Sequence, residues 1–225
     1  MSQTTPKPRE QLAQQLAESV GEALRHDLAG QDRVLLIVSG GSTPVPFFAA
    51  LAAQDLPWSR IDVTLADERW VASDAEDSNA RLVREHLLVG AAKAANFVSL
   101  TTSDGTPEQG IDEVGARLDG LAWPASVVIL GMGADGHTAS LFPDSRELDL
   151  ALASDAAVVA VRTPSQPQAR ITLSAERLHH ARRHVLHITG EDKRDVLGRA
   201  MTGDDVRRLP IRAFLSCPLA IYWAP

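Results

Sequence analysis

The chain has 225 residues, of which 44% are hydrophobic and 23% charged, as is ordinary for a globular domain with a sizeable core. Its 22 basic and 29 acidic side chains give a formal net charge of −7, which argues against a protein that coats a nucleic-acid backbone. The one cysteine, Cys217, excludes an intrachain disulfide and argues against a cysteine-based zinc site.

The sequence favours a cytoplasmic protein without membrane or nucleic-acid partners. Residues 1–10 are polar, contain two prolines and do not have the pattern of a signal peptide. The longest apolar runs, such as Val34–Val38 and Val127–Leu130, are far shorter than the ~20 residues that span a bilayer. A single thiol suits a reducing compartment, and the composition is compatible with a monomer.

The chain begins with a helix, a strand and a glycine-rich loop. Apolar residues spaced four apart predict an amphipathic helix over residues 10–29. The apolar run Val34–Val38 predicts a buried strand, which leads into the loop SGGSTP at 39–44. We expect Ser42 or Thr43 to cap the helix that follows this loop.

Strands and helices then alternate to the C-terminus. The predicted strands are 61–66, 97–100, Val127–Leu130, Val158–Val161, Arg170–Leu173, His184–Thr189 and 219–223, and the predicted helices are 78–88, 106–118 and one that follows Gly190. This alternation predicts one domain over residues 1–225, a three-layer α/β/α sandwich with a mostly parallel, Rossmann-like sheet. Ligands bind such sheets beyond the carboxyl ends of the strands, so the segments that follow strands are the candidates for a site.

The loop at 39–44 suits a phosphate group. Gly40 and Gly41 let a ligand approach the backbone, whose N–H groups favour an anion at a helix N-terminus, and Ser42 and Thr43 add hydroxyl donors. The loop lacks the Gly-Lys-Ser/Thr ending of a P-loop and the last glycine of a nucleophile elbow. A phosphate cradle is the favoured interpretation, and a plain strand-to-helix turn is the alternative.

A second glycine-rich loop, GMGADG, matches the dinucleotide-binding fingerprint, but the next predicted strand ends in Arg162 instead of an acid. We therefore expect no nicotinamide site. Asp135 and His137 place a carboxylate and an imidazole at the mouth of a strand, where Gly133 and Gly136 leave room for a substrate. This pattern suits a general base whose tautomer a carboxylate fixes, with a structural histidine as the alternative.

Three cationic side chains lie close to predicted strand ends. Arg69 follows Asp67 and Glu68 and suits a carboxylate, phosphate or lactone oxygen, with a surface ion pair as the alternative. Lys193 lies in the first turn of a predicted helix, where the helix dipole disfavours a cation. A bound anion would offset this effect, so Lys193 is a candidate anion ligand. A solvated lysine is the alternative. The pattern alone gives no role to Arg170, which begins a strand.

Four histidines, His179, His180, His184 and His187, are close in sequence. They are predicted to straddle a helix end and a strand, so we expect no metal there. We expect Cys217 to be buried and inert.

At these loops the chain resembles the 6-phosphogluconolactonases, within a group that includes glucosamine-6-phosphate deaminase and ribose-5-phosphate isomerase. The stretches that carry the resemblance are SGGSTP at 39–44, DER at 67–69 with Ser78 and Asn79, GMGADGHTASLFP at 131–143, and RITL at 170–173 with GEDK at 190–193. The third stretch is the most specific.

Two departures separate the chain from the deaminases of this group. Deaminases typically have tyrosine where this chain has Arg69, and Ile-Ala-Phe-Asn-Glu-Pro where it has Thr-Ala-Ser-Leu-Phe-Pro. Both departures favour the lactonases. Asp144 stands where lactonases often have glycine, which we expect to affect the shape of the loop more than its chemistry.

The resemblance implies hydrolysis of 6-phospho-D-glucono-1,5-lactone to 6-phospho-D-gluconate, in the oxidative pentose phosphate pathway, without cofactor or metal. His137 would activate a water, Asp135 would support the imidazolium, and Arg69 with loop N–H groups would stabilise the oxyanion. The candidate binding residues are Gly40, Gly41, Ser42, Thr43, Asp67, Gly133, Gly136, Arg170 and Lys193.

Two other functions stay open from the sequence. A deaminase or isomerase of the same group would release ammonia from glucosamine 6-phosphate, and a non-catalytic sensor would bind a sugar phosphate without turnover. Such sensors usually carry a helix-turn-helix segment, for which the N-terminal region is too short. The sequence does not decide which of Arg69 and Arg170 would contact the lactone carbonyl and which would contact the phosphate.

Overall fold

The computed structural model describes residues 8–225, so most of the polar N-terminal segment lies outside the described residues. The helices are α1 (Arg9–Leu28), α2 (Val45–Ala52), α3 (Asn79–His86), α4 (Pro107–Asp119), α5 (Leu148–Ala153), α6 (Ala175–His179), α7 (Glu191–Met201) and α8 (Arg212–Leu215), with 3-10 turns at Trp58–Arg60 and Gly90–Ala94. The strands are β1 (Val34–Val38), β2 (Ile61–Leu65), β3 (Asp67–Arg69), β4 (Asn96–Val98), β5 (Val127–Leu130), β6 (Val158–Val161), β7 (Arg170–Leu173), β8 (His184–Thr189) and β9 (Leu219–Ala224). Every predicted strand is present, whereas β3 and the short helices α5, α6 and α8 were not predicted.

Six strands form a parallel sheet in the order β4-β2-β1-β5-β8-β9. The chain starts at β1, moves outward through β2 to β4, and then returns to β5 on the other side of β1. The loops that follow β1 and β5 therefore diverge, which opens a crevice at the carboxyl edge of the sheet. The predicted α/β/α class with a mostly parallel sheet is confirmed.

The core lies between this sheet and the helices. All positions of β1, β2 and β5 are buried, as expected for a parallel sheet that is covered on both faces. Helix α1 packs against α2 and the sheet and buries Leu16, Val20 and Leu24, in agreement with the predicted spacing. Within residues 8–225, no helix combines the length and the apolarity needed to cross a lipid bilayer.

A second sheet, in the order β3-β7-β6, is antiparallel and was not predicted. Residues 67–69, expected to form a loop, are a strand that pairs with β7 so that Arg69 lies opposite Arg170. A strand of three charged residues has no apolar alternation, so its local sequence does not reveal it. The pairing brings two arginines together at one side of the crevice.

The capping role predicted for Ser42 or Thr43 is wrong. Helix α2 begins at Val45 with Pro44 as its N-cap, and no side chain caps it. Thr43 Oγ1 instead lies 3.2 Å from Thr189 Oγ1, which links the loop after β1 to the end of β8.

Helix α3 agrees with its prediction in part. Ser78 is its N-cap and accepts a hydrogen bond from the N–H three residues later. Val83 and Leu87 are buried, but Leu82 and Leu88 are only half-buried, and the helix ends at residue 86, before Leu87 and Leu88.

A buried carboxylate joins the end of α1 to the amino edge of the sheet. The Asp27 side chain is 4% exposed and accepts hydrogen bonds from Arg183 Nη1 at 2.9 Å and Nη2 at 3.4 Å. Arg182 Nε lies 3.8 Å from Asp27 Oδ2. Burial favours the neutral carboxyl, but the hydrogen bonds of Arg183 and the charges of Arg183 and Arg182 outweigh it and lower the pKa of Asp27.

We expect Asp27→Asn to lower the free energy of unfolding by about 1–2 kcal/mol at pH 7, because it weakens charged hydrogen bonds that remain partly solvated. Since the pKa of Asp27 is lower in the folded chain than in the unfolded chain, this contribution is complete above about pH 4. It disappears as the pH falls through the folded-state pKa. Urea unfolding of both proteins between pH 7 and pH 3 checks this, and a stability difference that does not change with pH would contradict it.

Candidate active site

A cavity of about 370 Å³ opens at the carboxyl edge of the parallel sheet. Its wall includes residues of the loop at 39–44, of 67–69, of the second glycine-rich loop and of the start of α7, all of which were expected to follow strands. The candidate residues that line it are Gly40, Gly41, Ser42, Thr43, Asp67, Arg69, Gly133, His137, Arg170 and Lys193. Asp135 and Gly136 are not among the lining residues, so they act on the cavity through their neighbours.

Asp135 and His137 form a hydrogen-bonded pair. His137 Nδ1 lies 2.6 Å from Asp135 Oδ1, and the backbone N–H of His137 donates to the same oxygen at 3.1 Å. Burial favours the neutral form of Asp135, but the hydrogen bond and charge of His137 outweigh burial and hold its pKa below the usual range. An ionised carboxylate only accepts, so Nδ1 carries the proton and Nε2 keeps its lone pair for a substrate or water.

Two glycines shape the loop around this pair. A Cβ on Gly133 would lie 2.1 Å from His137 Nδ1 and 2.5 Å from Asp135 Oδ1, so any side chain there would displace the pair. Gly136 has a φ of +78°, and its Cβ would lie 2.5 Å from Leu209 Cδ2. Gly133 therefore makes room for the imidazole, while Gly136 turns the loop. The His137 ring packs on Phe142, with 4.3 Å between ring centroids.

The loop at 39–44 is in contact with the end of β5 and with the start of α3. Ser39 Oγ donates to the carbonyl of Ile129 at 2.9 Å, which fastens the end of β1 to β5. A Cβ on Gly40 would lie 1.9 Å from Asn79 Oδ1, so glycine lets α3 begin close to the loop. Gly41 has a φ of +90° and open space beside it, which leaves its backbone accessible.

Arg170 presents a fixed, buried guanidinium to the cavity. Its side chain is 8% exposed, and Nη1 lies 3.4 Å from Asp67 Oδ2 while Nη2 donates to Gln166 Oε1 at 3.0 Å. The guanidinium carbon lies 5.1 Å from the centroid of the Phe142 ring. Burial lowers the pKa of Arg170, an effect that Asp67 opposes and Arg69 adds to, yet an arginine remains protonated at neutral pH.

Both arginines keep donors that the protein does not use. The Nε atoms of Arg69 and Arg170 are buried and have no hydrogen-bond partner among residues 8–225. Arg69 Nη1 donates to the carbonyl of Asp77, which holds the side chain in place. Buried, unpaired donors of this kind are suited to an anionic ligand.

Lys193 lies in the first turn of α7, directly after β8. Gly190 precedes this helix with a φ of +99°, and Lys193 Nζ lies 3.7 Å from Asp192 Oδ2. This lysine lines one side of the cavity together with the hydroxyls of Thr43 and Thr189, near the positive end of the α7 dipole, and this combination suits an anion.

Sequence reasoning missed His187 as part of the cavity wall. This residue of β8 is 4% exposed, lines the cavity and packs edge-on against Phe47. Burial lowers the pKa of His187 to about 4, so its ring is neutral at pH 7, and its Nδ1 has no partner among the described residues. No local signal identified it, because alternation along a strand shows only that positions 184 and 187 point to opposite faces of the sheet.

Sequence reasoning also missed how β3 and α3 are joined. The buried Glu68 carboxylate accepts from the N–H groups of Arg69, Asn79 and Ala80 at 2.7–2.8 Å and from Ser78 Oγ at 3.1 Å. A carboxylate at a helix N-terminus is favoured by the helix dipole. It fixes the strand from which Asp67 and Arg69 reach the cavity.

Several known proteins are similar to this chain in sequence and structure over most of their length. A 6-phosphogluconolactonase of Pseudomonas aeruginosa is 46% identical over 215 residues, which cover 95% of this chain and 90% of that protein. One of Mesorhizobium japonicum is 44% identical over 222 residues, which cover 96% and 92%. The crystal structure of a 6-phosphogluconolactonase from Shewanella baltica has a TM-score of 0.96 at 42% identity, covering 97% of this chain and 95% of that one.

Residues 7–223 match the family model described as glucosamine-6-phosphate isomerases/6-phosphogluconolactonase. The match includes every residue named above as lining the cavity. The chain belongs to this family.

Proposed function

We propose that the protein hydrolyses 6-phospho-D-glucono-1,5-lactone to 6-phospho-D-gluconate, a step of the oxidative pentose phosphate pathway. The observation that carries the proposal is the Asp135–His137 pair, which leaves His137 Nε2 free at a cavity lined with cations. Relatives that are 36–46% identical over most of their length bear the name of this activity.

His137 acts as the general base. Nε2 takes a proton from a water as the water oxygen attacks the lactone carbonyl, and the carbonyl oxygen becomes an oxyanion. The oxyanion collapses, the ring C–O bond breaks, and the imidazolium returns the proton to the departing ring oxygen. The products are a carboxylic acid and a hydroxyl, so no covalent enzyme intermediate is needed. Asp135 is a positioning residue that fixes the tautomer and stabilises the imidazolium.

Arg69 stabilises the oxyanion in this proposal. The N–H of Gly131 already donates to Ser39 Oγ at 3.3 Å, and the N–H of Gly133 donates to the His137 carbonyl at 2.9 Å. These two groups of the second glycine loop are therefore engaged within the protein. The unpaired Nε of Arg69 supplies a donor in their place.

The phosphate is held by the loop at 39–44, Lys193 and Arg170. The loop offers backbone N–H groups and the hydroxyls of Ser42 and Thr43, Lys193 adds a charge, and Arg170 adds a guanidinium that Asp67 already orients. One hydrophobic core runs through the described residues, so we propose that they form a single domain, and we propose that the protein acts as a monomer. We place it in the cytoplasm, where its one thiol stays reduced.

We expect His137→Ala to lower kcat by about 10²–10⁴-fold with little change in KM, because it removes the base and leaves the binding groups in place. The assay follows lactone generated in situ and counts only the rate above spontaneous hydrolysis. Asp135→Asn should lower kcat as well, by releasing the imidazole. Full activity of His137→Ala would refute the assignment of the base, and sugar-phosphate binding by the wild-type protein without turnover would favour a sensor.

Gly133→Ala should lower kcat about hundredfold, because the new Cβ would push the His137 ring out of place. A displacement of about 1 Å is enough to cost a factor of that size. Gly198→Ala is the matched control, since a Cβ there meets nothing within 4 Å on the exposed side of α7. Circular dichroism should show both variants folded. Wild-type activity in Gly133→Ala would mean that the observed pair geometry is not needed for catalysis.

Lys193→Met should reduce kcat/KM for the phosphorylated lactone about tenfold, through the loss of one charged hydrogen bond. The same variant should leave hydrolysis of phosphate-free glucono-1,5-lactone unchanged. We expect the same selectivity for Arg170→Met, whereas Arg69→Met should slow both substrates. If Arg69→Met affects only the phosphorylated lactone, the two arginines have the opposite roles.

A further inference from the structure

Two of the four neighbouring histidines meet the cysteine in space. His179 ends α6, His184 begins β8, and Cys217 lies between α8 and β9. Their ligand atoms all lie within 4.8 Å of one another, and His179 Nδ1 is 3.2 Å from Cys217 Sγ. The expectation that Cys217 is buried is wrong, because it is only half-buried.

The other two histidines are used elsewhere. His180 stacks on Trp123, with 5.8 Å between ring centroids and 11° between the ring planes. His187 lies on the wall of the lactone cavity. The four histidines that are close in sequence are therefore not all close in space. His179 and His184 form a compact group with Cys217.

This group has the donors and nearly the spacing of a zinc site. Zn–S bonds of about 2.3 Å and Zn–N bonds of about 2.0–2.1 Å, arranged tetrahedrally, place ligand atoms roughly 3.3–3.6 Å apart. The 3.2 Å between His179 Nδ1 and Cys217 Sγ is slightly shorter than this range, and no pair of ligand atoms is more than 4.8 Å apart, so side-chain shifts of roughly 1–1.5 Å would reach it. Imidazole nitrogen and thiolate sulfur are ligands that select borderline-soft cations over Mg²⁺ or Ca²⁺.

One of the two imidazoles already makes the hydrogen bond that is typical of a metal-ligating histidine. The Nε2 of His184 lies 3.0 Å from the carbonyl of Leu178. An imidazole that donates to a carbonyl through one nitrogen keeps a lone pair on the other, as metal-ligating histidines do.

The surroundings also suit a bound cation. The His179 ring stacks on the fully buried Phe214, with 4.6 Å between centroids, which limits its motion. Cys217 lines a second cavity, of about 440 Å³, which gives an ion or a water molecule a way to the sulfur.

We propose that His179, His184 and Cys217 form a mononuclear site for a thiophilic divalent cation of the Zn²⁺ class, with water as the fourth ligand. The site lies at the amino ends of β8 and β9, whereas Thr189 and Lys193 reach the lactone cavity from the carboxyl end of β8. Six residues of strand separate the two ends by roughly 17 Å. The cation therefore joins α6, β8 and the segment before β9, and stabilises the fold without taking part in hydrolysis.

Titration of the metal-free full-length protein with Co²⁺, a spectroscopic substitute for Zn²⁺, tests this site. We expect one equivalent to give the visible bands of tetrahedral cobalt and a thiolate-to-cobalt charge-transfer band. Cys217→Ser should abolish the charge-transfer band, and His179→Gln should weaken binding at least tenfold. His180→Gln is the matched control and should bind like the wild-type protein.

His137→Gln distinguishes this site from the lactone cavity, because it removes the histidine of that cavity and should leave the cobalt spectrum unchanged. Zn²⁺ at about 100 times its Kd should raise the Tm of the wild-type protein by roughly 5–10 °C and that of Cys217→Ser by much less. A cobalt spectrum without a thiolate band, or one that His137→Gln abolishes, would overturn the proposal.

The unmodified protein provides a test that needs no variant. Its one cysteine makes alkylation by iodoacetamide a direct measure of Cys217. Stoichiometric Zn²⁺ should slow this reaction at least tenfold, and the same concentration of Mg²⁺ should not. Equal rates with and without Zn²⁺ would overturn the proposal, since a coordinated thiolate cannot react freely.

Discussion

The return of the chain from β4 to β5 is the constraint on which the site depends. It makes β1 and β5 neighbours although about 90 residues separate them, and their loops then leave the sheet in different directions. The Ser39 hydroxyl fixes the two strand ends together by donating to the Ile129 carbonyl. Without this adjacency, the loop at 39–44 and the loop that carries His137 would not face the same cavity.

In the loop after β5, the contact between Asp135 and His137 depends on the absence of a side chain at position 133. Asp135 and His137 are two residues apart, and their contact at 2.6 Å requires the loop to fold back over its own backbone. The space they occupy is the space that a side chain on Gly133 would fill. The ionised carboxylate, the tautomer and the direction of Nε2 all follow from this local geometry, which the parallel sheet then presents to the cavity.

The cationic part of the cavity has a different origin. Arg69 and Arg170 are about 100 residues apart and become neighbours only through the antiparallel pairing of β3 with β7. Glu68, buried at the start of α3, holds β3 in place by accepting three backbone N–H groups. Both arginines therefore enter the cavity with side chains that are already oriented, as the proposed role in binding an anion requires.

The sequence by itself determined the order of strands and helices, the parallel class of the main sheet, and the two glycine loops with the Asp135–His137 pair. These features are local: apolar runs and glycine spacing carry them, and residues two apart can be judged without the rest of the chain. Only the tertiary structure decided that β3 is a strand, that Thr43 bonds Thr189, that His187 faces the cavity, and that His179 and His184 meet Cys217. Each of these depends on strand pairing or helix packing between distant segments, for which no local pattern of polar residues provides a signal.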